Sequence, residues 1–432
     1  MKNFNFYLIS LIFILSFFKG LLALMGVVES IVQLLIDILI IVLFFKSILN
    51  VLKKKKIIAP GIIINICLFV VIMISFLFSH INTLLLVIFI RKFALYYLFF
   101  YALFNLKLTE VQIEKLKKLI IFLFIIQVPA AFIKVLILGG TLEKIVGTMS
   151  VAEGSLATTM PLIAASYLIS NYLIYKKFKY IIWVLLFVVI GLVSNKMAIL
   201  FYLIILFIYL SYFYATPKVG LPNLIFIKKL FINILYSIVI FILFVMLNPR
   251  ANPEHKVGGS VDIEYVINFV EEHNTKKPSP DEGEGQGRFD APFVVFDRLS
   301  NGGLFNVLFG FGPGDIVKSA FVRYDNPLLE KYNIGYGARQ GYTWFGMQIG
   351  IIGVFFITWF QVILFRKILH IYKELSFSEE DKLFILTVLG FFLVFFLDIF
   401  SYSRIIMTSP GVVLTYYFGI FYVLYRAYYS KI

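Results

Sequence analysis

Apolar runs of eighteen or more residues recur along this chain, from Phe6 near its start to Tyr425 near its end. As a helix, a run of that length crosses a hydrocarbon core of about 30 Å. Inside such a core each backbone N–H and C=O needs a partner within the protein, which a helix supplies along its own length. The expected fold is an all-α membrane protein with many spans. Composition agrees, with 61% of the 432 residues apolar and 15% charged. A soluble domain is nearer about half apolar and about a quarter charged.

The net charge of +15 does not point to nucleic acid. The basic residues stand in short clusters between the apolar runs, the pattern of cytoplasmic connectors. Lys53 to Lys56 form one cluster, and Lys107, Lys115, Lys117 and Lys118 a second. Lys176, Lys177 and Lys179 follow, then Lys218, Lys228 and Lys229, then Arg366, Lys367 and Lys373, then Arg426 and Lys431. Placing every cluster inside predicts about twelve transmembrane helices and two cytoplasmic termini. The spans are Phe6–Leu24, Val27–Val51, Ile57–Phe78, Ile81–Leu106, Leu119–Leu138, Leu156–Tyr175, Tyr180–Val193, Met197–Tyr214, Leu230–Leu247, Tyr342–Phe365, Leu383–Phe400 and Gly411–Tyr425. The first leads straight into the second without a small-x-small cleavage site, so a retained helix is expected and not a removed signal peptide. Cys67 is the only cysteine. It excludes an internal disulfide and a cysteine-rich metal site, and its apolar surroundings suit a small packed residue.

Arg91 and Lys92 interrupt the fourth run. One arrangement is a single long span with two charges about ten residues deep. The other is a re-entrant or flat segment over 81–90 followed by a span from Arg91. A charge at that depth faces protein or a wet cavity, or it snorkels as an anchor.

Three units follow: residues 1–247 with spans one to nine, 248–341 as one large external loop, and 342–432 with spans ten to twelve. The loop has 94 residues, with ten Lys/Arg against thirteen Asp/Glu, a net −3 that leaves +18 on the rest of the chain. A spacer needs only a few residues, so a loop of this length is expected to work as a lid over a site at membrane level. Residues 261–273 read as a short amphipathic helix. Residues 275–287, rich in Pro and Gly, read as a flexible connector. Residues 291–299 read as an apolar surface element with Asp297 and Arg298 on its polar side. The stretch 308–315 reads LFGFGPGD. Its glycines permit positive φ and close backbone approach, but it matches neither a dinucleotide fingerprint nor a P-loop. Gly350 and Gly353 in the next span suit close helix packing.

The order of these pieces resembles the O-antigen polymerase and O-antigen ligase family of bacterial polytopic membrane glycosyltransferases. The resemblance rests on Phe309-Gly310-Phe311-Gly312-Pro313-Gly314, on Gln340-Gly341-Tyr342 leading into Gly350–Gly353, and on Ser194-Asn195-Lys196 at a span's outer end. It covers most of the chain as architecture and about 60 residues as motif. Ligases of that family carry a His-Asn pair where this chain has Arg339-Gln340, and none of His80, His255, His273 and His370 falls there. The polymerase branch is therefore favoured.

The resemblance implies sugar transfer on the outer face of the bacterial cytoplasmic membrane, from a polyprenyl-diphosphate-linked oligosaccharide. A chain-length regulator and a flippase are the implied partners, with no cofactor and no metal. Charge grows on the leaving diphosphate, so fixed cations at it lower the barrier, and the arginine fork suits phosphate oxygens. Arg91, Lys196, Arg298, Arg339 and Arg404 are the expected diphosphate ligands, because each lies at a span end or beside a motif. Arg339, Arg298 and Asp297 are the expected catalytic residues. An ordinary anchor or ion-pair role is the competing reading for each. Ligase-type transfer to a lipid or protein acceptor is the nearest alternative function. A lipid-linked sugar transporter would ordinarily show two similar halves, and no repeat is visible here. A structural or sensory protein would leave the loop cations unexplained.

Overall fold

The computed structural model describes residues 3–54, 57–79, 81–138, 146–151, 155–193, 198–215, 238, 242, 245–246, 252–255, 258–268, 291–314, 341–374, 378–401 and 409–428. Most of these are helical, with no strand among the described residues. The helices are α1 (Phe4–Leu24), α2 (Glu29–Lys54), α3 (Ile62–Phe78), α4 (Thr83–Asn105), α5 (Glu110–Leu138), α6 (Leu156–Tyr175), α7 (Lys179–Val193) and α8 (Ala198–Ala215). Then come α9 (Ala291–Asn301), the short α10 (Leu304–Phe309), α11 (Gly341–Glu374), α12 (Glu379–Ser401) and α13 (Pro410–Tyr428).

Five of these, α1, α2, α5, α11 and α12, are long and apolar enough to cross a membrane, or six if the bent α4 counts as one span. The chain is thus a multi-pass helical membrane protein. The expected count of twelve is higher for physical reasons. The apolar stretches in α3, α7 and α8 run to 10–17 residues. The ninth expected span, Leu230–Leu247, lies almost wholly outside the described residues. Neither α6 nor α13 reaches the hydropathy of a lipid-facing span. Both are rich in Ser, Thr, Asn or Tyr, and both are sheathed by other helices. Every residue from Pro410 to Leu424 of α13 is buried. A helix that meets protein on all sides has no lipid-facing surface to satisfy.

The core is aromatic. Helix α13 packs against α1, α4, α6, α11 and α12. Phe418 meets Phe13 edge-on with ring centroids 5.8 Å apart, and Phe421 meets Phe104 at 5.0 Å. Tyr416 stacks on Phe395 at 5.5 Å. Edge-to-face pairs of this kind contribute about 0.5–1.5 kcal/mol each beyond area burial. The tyrosine hydroxyls need partners at this depth, and Gln361 of α11 supplies them. Its Oε1 accepts from Tyr416 Oη at 2.5 Å, and its Nε2 donates to Tyr417 Oη at 3.4 Å.

The two ends of the bundle differ. At one end stand the lysine-bearing connectors. There Asn105 ties the end of α4 to residue 58, its Oδ1 accepting from Ile58 N at 3.1 Å. Lys117 of α5 donates to Glu380 of α12 at 2.7 Å and also pairs with Glu114. Tyr422 of α13 donates to Glu114 at 2.6 Å, and Arg426 to Asp381 at 3.4 Å. The opposite end holds the tops of α3 and α4, the start of α11, and residues 146–151. Thr148 is plugged between α1 and α5, its N–H bonded to Gln127 Oε1 at 2.8 Å and its hydroxyl to Phe17 O at 2.7 Å.

Candidate functional site

At that opposite end the polar segment joins the bundle. Helix α11 is broken at Gly350, whose φ of +65° and ψ of −174° are foreign to a helix. A broken helix leaves its last carbonyls without intrahelical partners. The glycine turn that follows α10 supplies them. Phe311 N–H donates to Met347 O at 2.7 Å, and Gly312 N–H to Gln348 O at 3.1 Å. Ser75 of α3 donates to the same Gln348 O at 3.0 Å. The Gln348 side chain accepts from Gly314 N–H at 3.0 Å and donates to Trp344 O at 3.1 Å.

The turn needs its glycines. Gly310, Gly312 and Gly314 have φ of +78°, +127° and +104°. A Cβ on Gly310 would lie 2.4 Å from the Gln348 carbonyl carbon, and one on Gly314 2.5 Å from Leu85 O. Positive φ and close backbone approach are thus what this motif uses. Its amides at Phe311, Gly312 and Gly314 are engaged with protein carbonyls. They anchor the segment and do not form an open cradle for a phosphate. Aromatic contacts complete the joint: Phe305 meets Phe78 at 4.9 Å, and Trp344 stacks on Phe89 of α4 at 5.7 Å.

The reading of Gly350 and Gly353 as a helix-packing pair is corrected by this geometry. Gly350 is the break itself, and a Cβ there would sit 2.2 Å from Leu308 O. A Cβ on Gly353 would meet Ile349 of its own helix at 2.4 Å. What approaches closely is the backbone of α10, not a second spanning helix.

Helix α9 matches the surface element expected over 291–299. It packs on α10 and the start of α11 through Val295, Leu299 and Met347. Asp297 is on its exposed face and accepts from Asn301 Nδ2 at 3.3 Å. Arg298, one position on, is half-buried in the last turn, where a cation complements the helix dipole. Residues 263–268 are helical, within the helix expected over 261–273; residues 269–290, with the Pro/Gly-rich stretch, lie outside the described residues.

Arg91 lies on α4, a single helix bent by 44° between Thr83–Arg91 and Ala94–Asn105. Both arrangements considered for this run, a long span and a re-entrant segment followed by a span, contain such a bend, and the cation stands at it. Arg91 Nε donates to Asp37 of α2 at 2.5 Å, and Gln33 Nε2 donates to Asp37 Oδ1 at 2.8 Å. The Asp37 side chain is 5% exposed and that of Arg91 32%. A buried carboxylate without a counter-charge is costly, so Arg91 here balances Asp37 and is not a free phosphate ligand. Asp37 was not singled out from the sequence; an acid in the middle of an apolar run is itself the signal for a partner at equal depth. Lys134 is a second cation at this end, buried and donating to Ser150 O at 2.8 Å, while Glu29 accepts from Val151 N–H at 3.0 Å.

Of the expected site residues, Arg91, Asp297 and Arg298 are placed. Both helices that bear them touch the first part of α11, α4 through the Phe89–Trp344 stack and α9 through Met347. Lys196, Arg339 and Arg404 lie outside the described residues. Compared with known proteins, the chain matches no family model, and no curated protein matches it significantly.

Proposed function

We propose that this chain is a membrane glycosyltransferase that polymerises lipid-linked oligosaccharide repeat units on the outer face of a bacterial cytoplasmic membrane. About twelve spans, cytoplasmic termini and an external 248–341 segment belong to this reading. The observation that carries it is the joint between the GFGPG turn and the broken start of α11. It fastens the one long polar segment to the bundle end away from the lysine-rich connectors. A donor held by its lipid at that end would present its first sugar to the segment above.

In the transfer, an acceptor hydroxyl attacks the anomeric carbon while the bond from that carbon to the diphosphate oxygen breaks. The hydroxyl proton passes to a carboxylate or to solvent, and polyprenyl diphosphate departs. Arg298, Arg339, Lys196 and Arg404 are the proposed cations around the leaving group, and Asp297 the proposed base. Arg91 would act by holding α4 to α2 through its pair with Asp37.

Deleting the chain in its native host and resolving the surface glycan on a gel tests the proposal. The expected result is loss of the chain-length ladder with one repeat unit retained. Finished polymer left on the lipid carrier would make the chain a ligase, and an unchanged ladder would refute both.

A further inference from the structure

The lysine-bearing end of the bundle contains a cavity unrelated to the glycine turn. It has a volume of about 270 Å³ and lies among α5, α6, α7, α12 and α13. That is larger than the engineered apolar cavity of about 150 Å³ that admits benzene. Its walls are apolar along their depth, with Phe124, Ile163, Phe187, Phe391 and Phe418. The two threonines on the wall offer no donor to a guest, since Thr387 Oγ1 donates to Leu383 O at 2.8 Å and Thr415 Oγ1 to Gly411 O at 2.7 Å. Such walls suit a hydrocarbon chain better than a sugar or a nucleotide.

Tyr167 and Tyr180 also line the cavity, and its charged groups are two lysines at the mouth. Lys117 is one, but its ammonium is held by Glu114, Glu380 and Tyr422. Lys179 is the other. It is exposed, its ammonium 5.3 Å from the ring of Tyr180, and it follows Lys176 and Lys177 in the α6–α7 connector. The wall reaches the lipid-facing surface at Ile125, which is 41% exposed. A slot that is apolar within and basic at its mouth, and that opens where helices meet lipid, has the chemistry of a phospholipid turned on its side.

We propose that this cavity holds one acyl chain of an anionic membrane phospholipid, with the lipid phosphate at Lys179. The site is independent of the transferase reading and stands or falls without it.

Trp183 lines the cavity, whereas Trp359 is 38% exposed on the outside of α11 and reports bulk lipid. The experiment uses the full chain in phosphatidylcholine vesicles with rising fractions of phosphatidylglycerol brominated on its acyl chains. Quenching is read in Trp359→Phe and in Trp183→Phe, with the buried Trp344 as constant background. Trp183 should reach half-quenching at a lower mole fraction than Trp359. Lys179→Gln should raise the Trp183 fraction about fivefold, the factor for one lysine lost near an anionic surface. Ala164→Leu, which fills the cavity, should bring Trp183 onto the Trp359 curve. If that variant does not fold, the exposed Lys179→Gln decides. One shared curve for both tryptophans would overturn the proposal. Equal quenching by brominated phosphatidylcholine would do the same, as would relief of quenching by a polyprenyl phosphate at lower fractions than by unlabelled phosphatidylglycerol.

Discussion

Gly350→Ala should release the glycine turn from α11. The native φ of +65° with ψ of −174° belongs to a region used almost only by glycine. Holding alanine there costs about 1–3 kcal/mol. The new methyl carbon would also lie 2.2 Å from Leu308 O and 2.3 Å from its carbonyl carbon. These are backbone atoms, so no side-chain rotation relieves the clash, and α10 has to withdraw. Withdrawal breaks the bonds from Phe311, Gly312 and Gly314 to α11, each contributing about 0.5–1.5 kcal/mol. The docked form loses about 3 kcal/mol of its advantage, and at 1.4 kcal/mol per factor of ten the turn opens roughly a hundred times more often. Hydrogen exchange read by mass spectrometry on a peptide spanning 304–314 measures this directly. The three turn amides should lose about two decades of protection. Gly346→Ala is the control, because its added carbon meets only Val354 Cγ2, at 3.9 Å. Equal protection in the two variants would refute the account of the joint.

Arg91→Ala should destabilise the protein by about 3–5 kcal/mol, since it leaves the Asp37 carboxylate buried without its counter-charge. Asp37→Asn combined with Arg91→Gln should recover part of that in a detergent thermal melt, and a double variant no better than Arg91→Ala would show that the pair is not what matters. Reporter fusions after Lys56, Lys179, Lys229 and Lys373 should read cytoplasmic and one near Gly285 external; an internal signal at Gly285 would put the proposed site on the wrong side for its donor. Arg339→Ala should reduce repeat-unit polymerisation by about 10²–10³, the usual cost of one fixed donor to a growing anion, with membrane abundance unchanged. Arg339→Lys should rescue only part, because an ammonium does not reproduce the guanidinium fork; full activity in the Ala variant would remove Arg339 from the site.

Helix positions were the most readable part of this chain, because apolar run length carries that signal. Phe6–Leu24 became Phe4–Leu24, and Leu156–Tyr175 was met residue for residue. Span counting was less direct, since hydropathy ranks a helix by its fitness for lipid while α13 is surrounded by protein. The glycine turn was legible as a place of positive φ, but its destination was not. Nothing in GFGPG says that its amides will close the broken end of α11. Likewise Gly350 and Gly353 look alike in sequence, and only the backbone angle separates a hinge from a packing residue. The Arg91–Asp37 pair spans 54 positions. Sequence shows that each charge needs a partner, and the fold decides which.

The placement of α13 has a consequence for synthesis. Translation delivers a chain from its first residue at about 5–20 residues per second. The helix that lies among α1, α4, α6, α11 and α12 is therefore made after all the helices that enclose it. Those neighbours must wait in the membrane around an unfilled axis, with Phe13, Phe104 and Phe395 lacking their contacts to Phe418, Phe421 and Tyr416. A ribosome that stops before Pro410 would leave a bundle complete at its rim and hollow at its centre. A sound core is thus tied to arrival of α13, and cellular proteolysis would find chains cut before it already open.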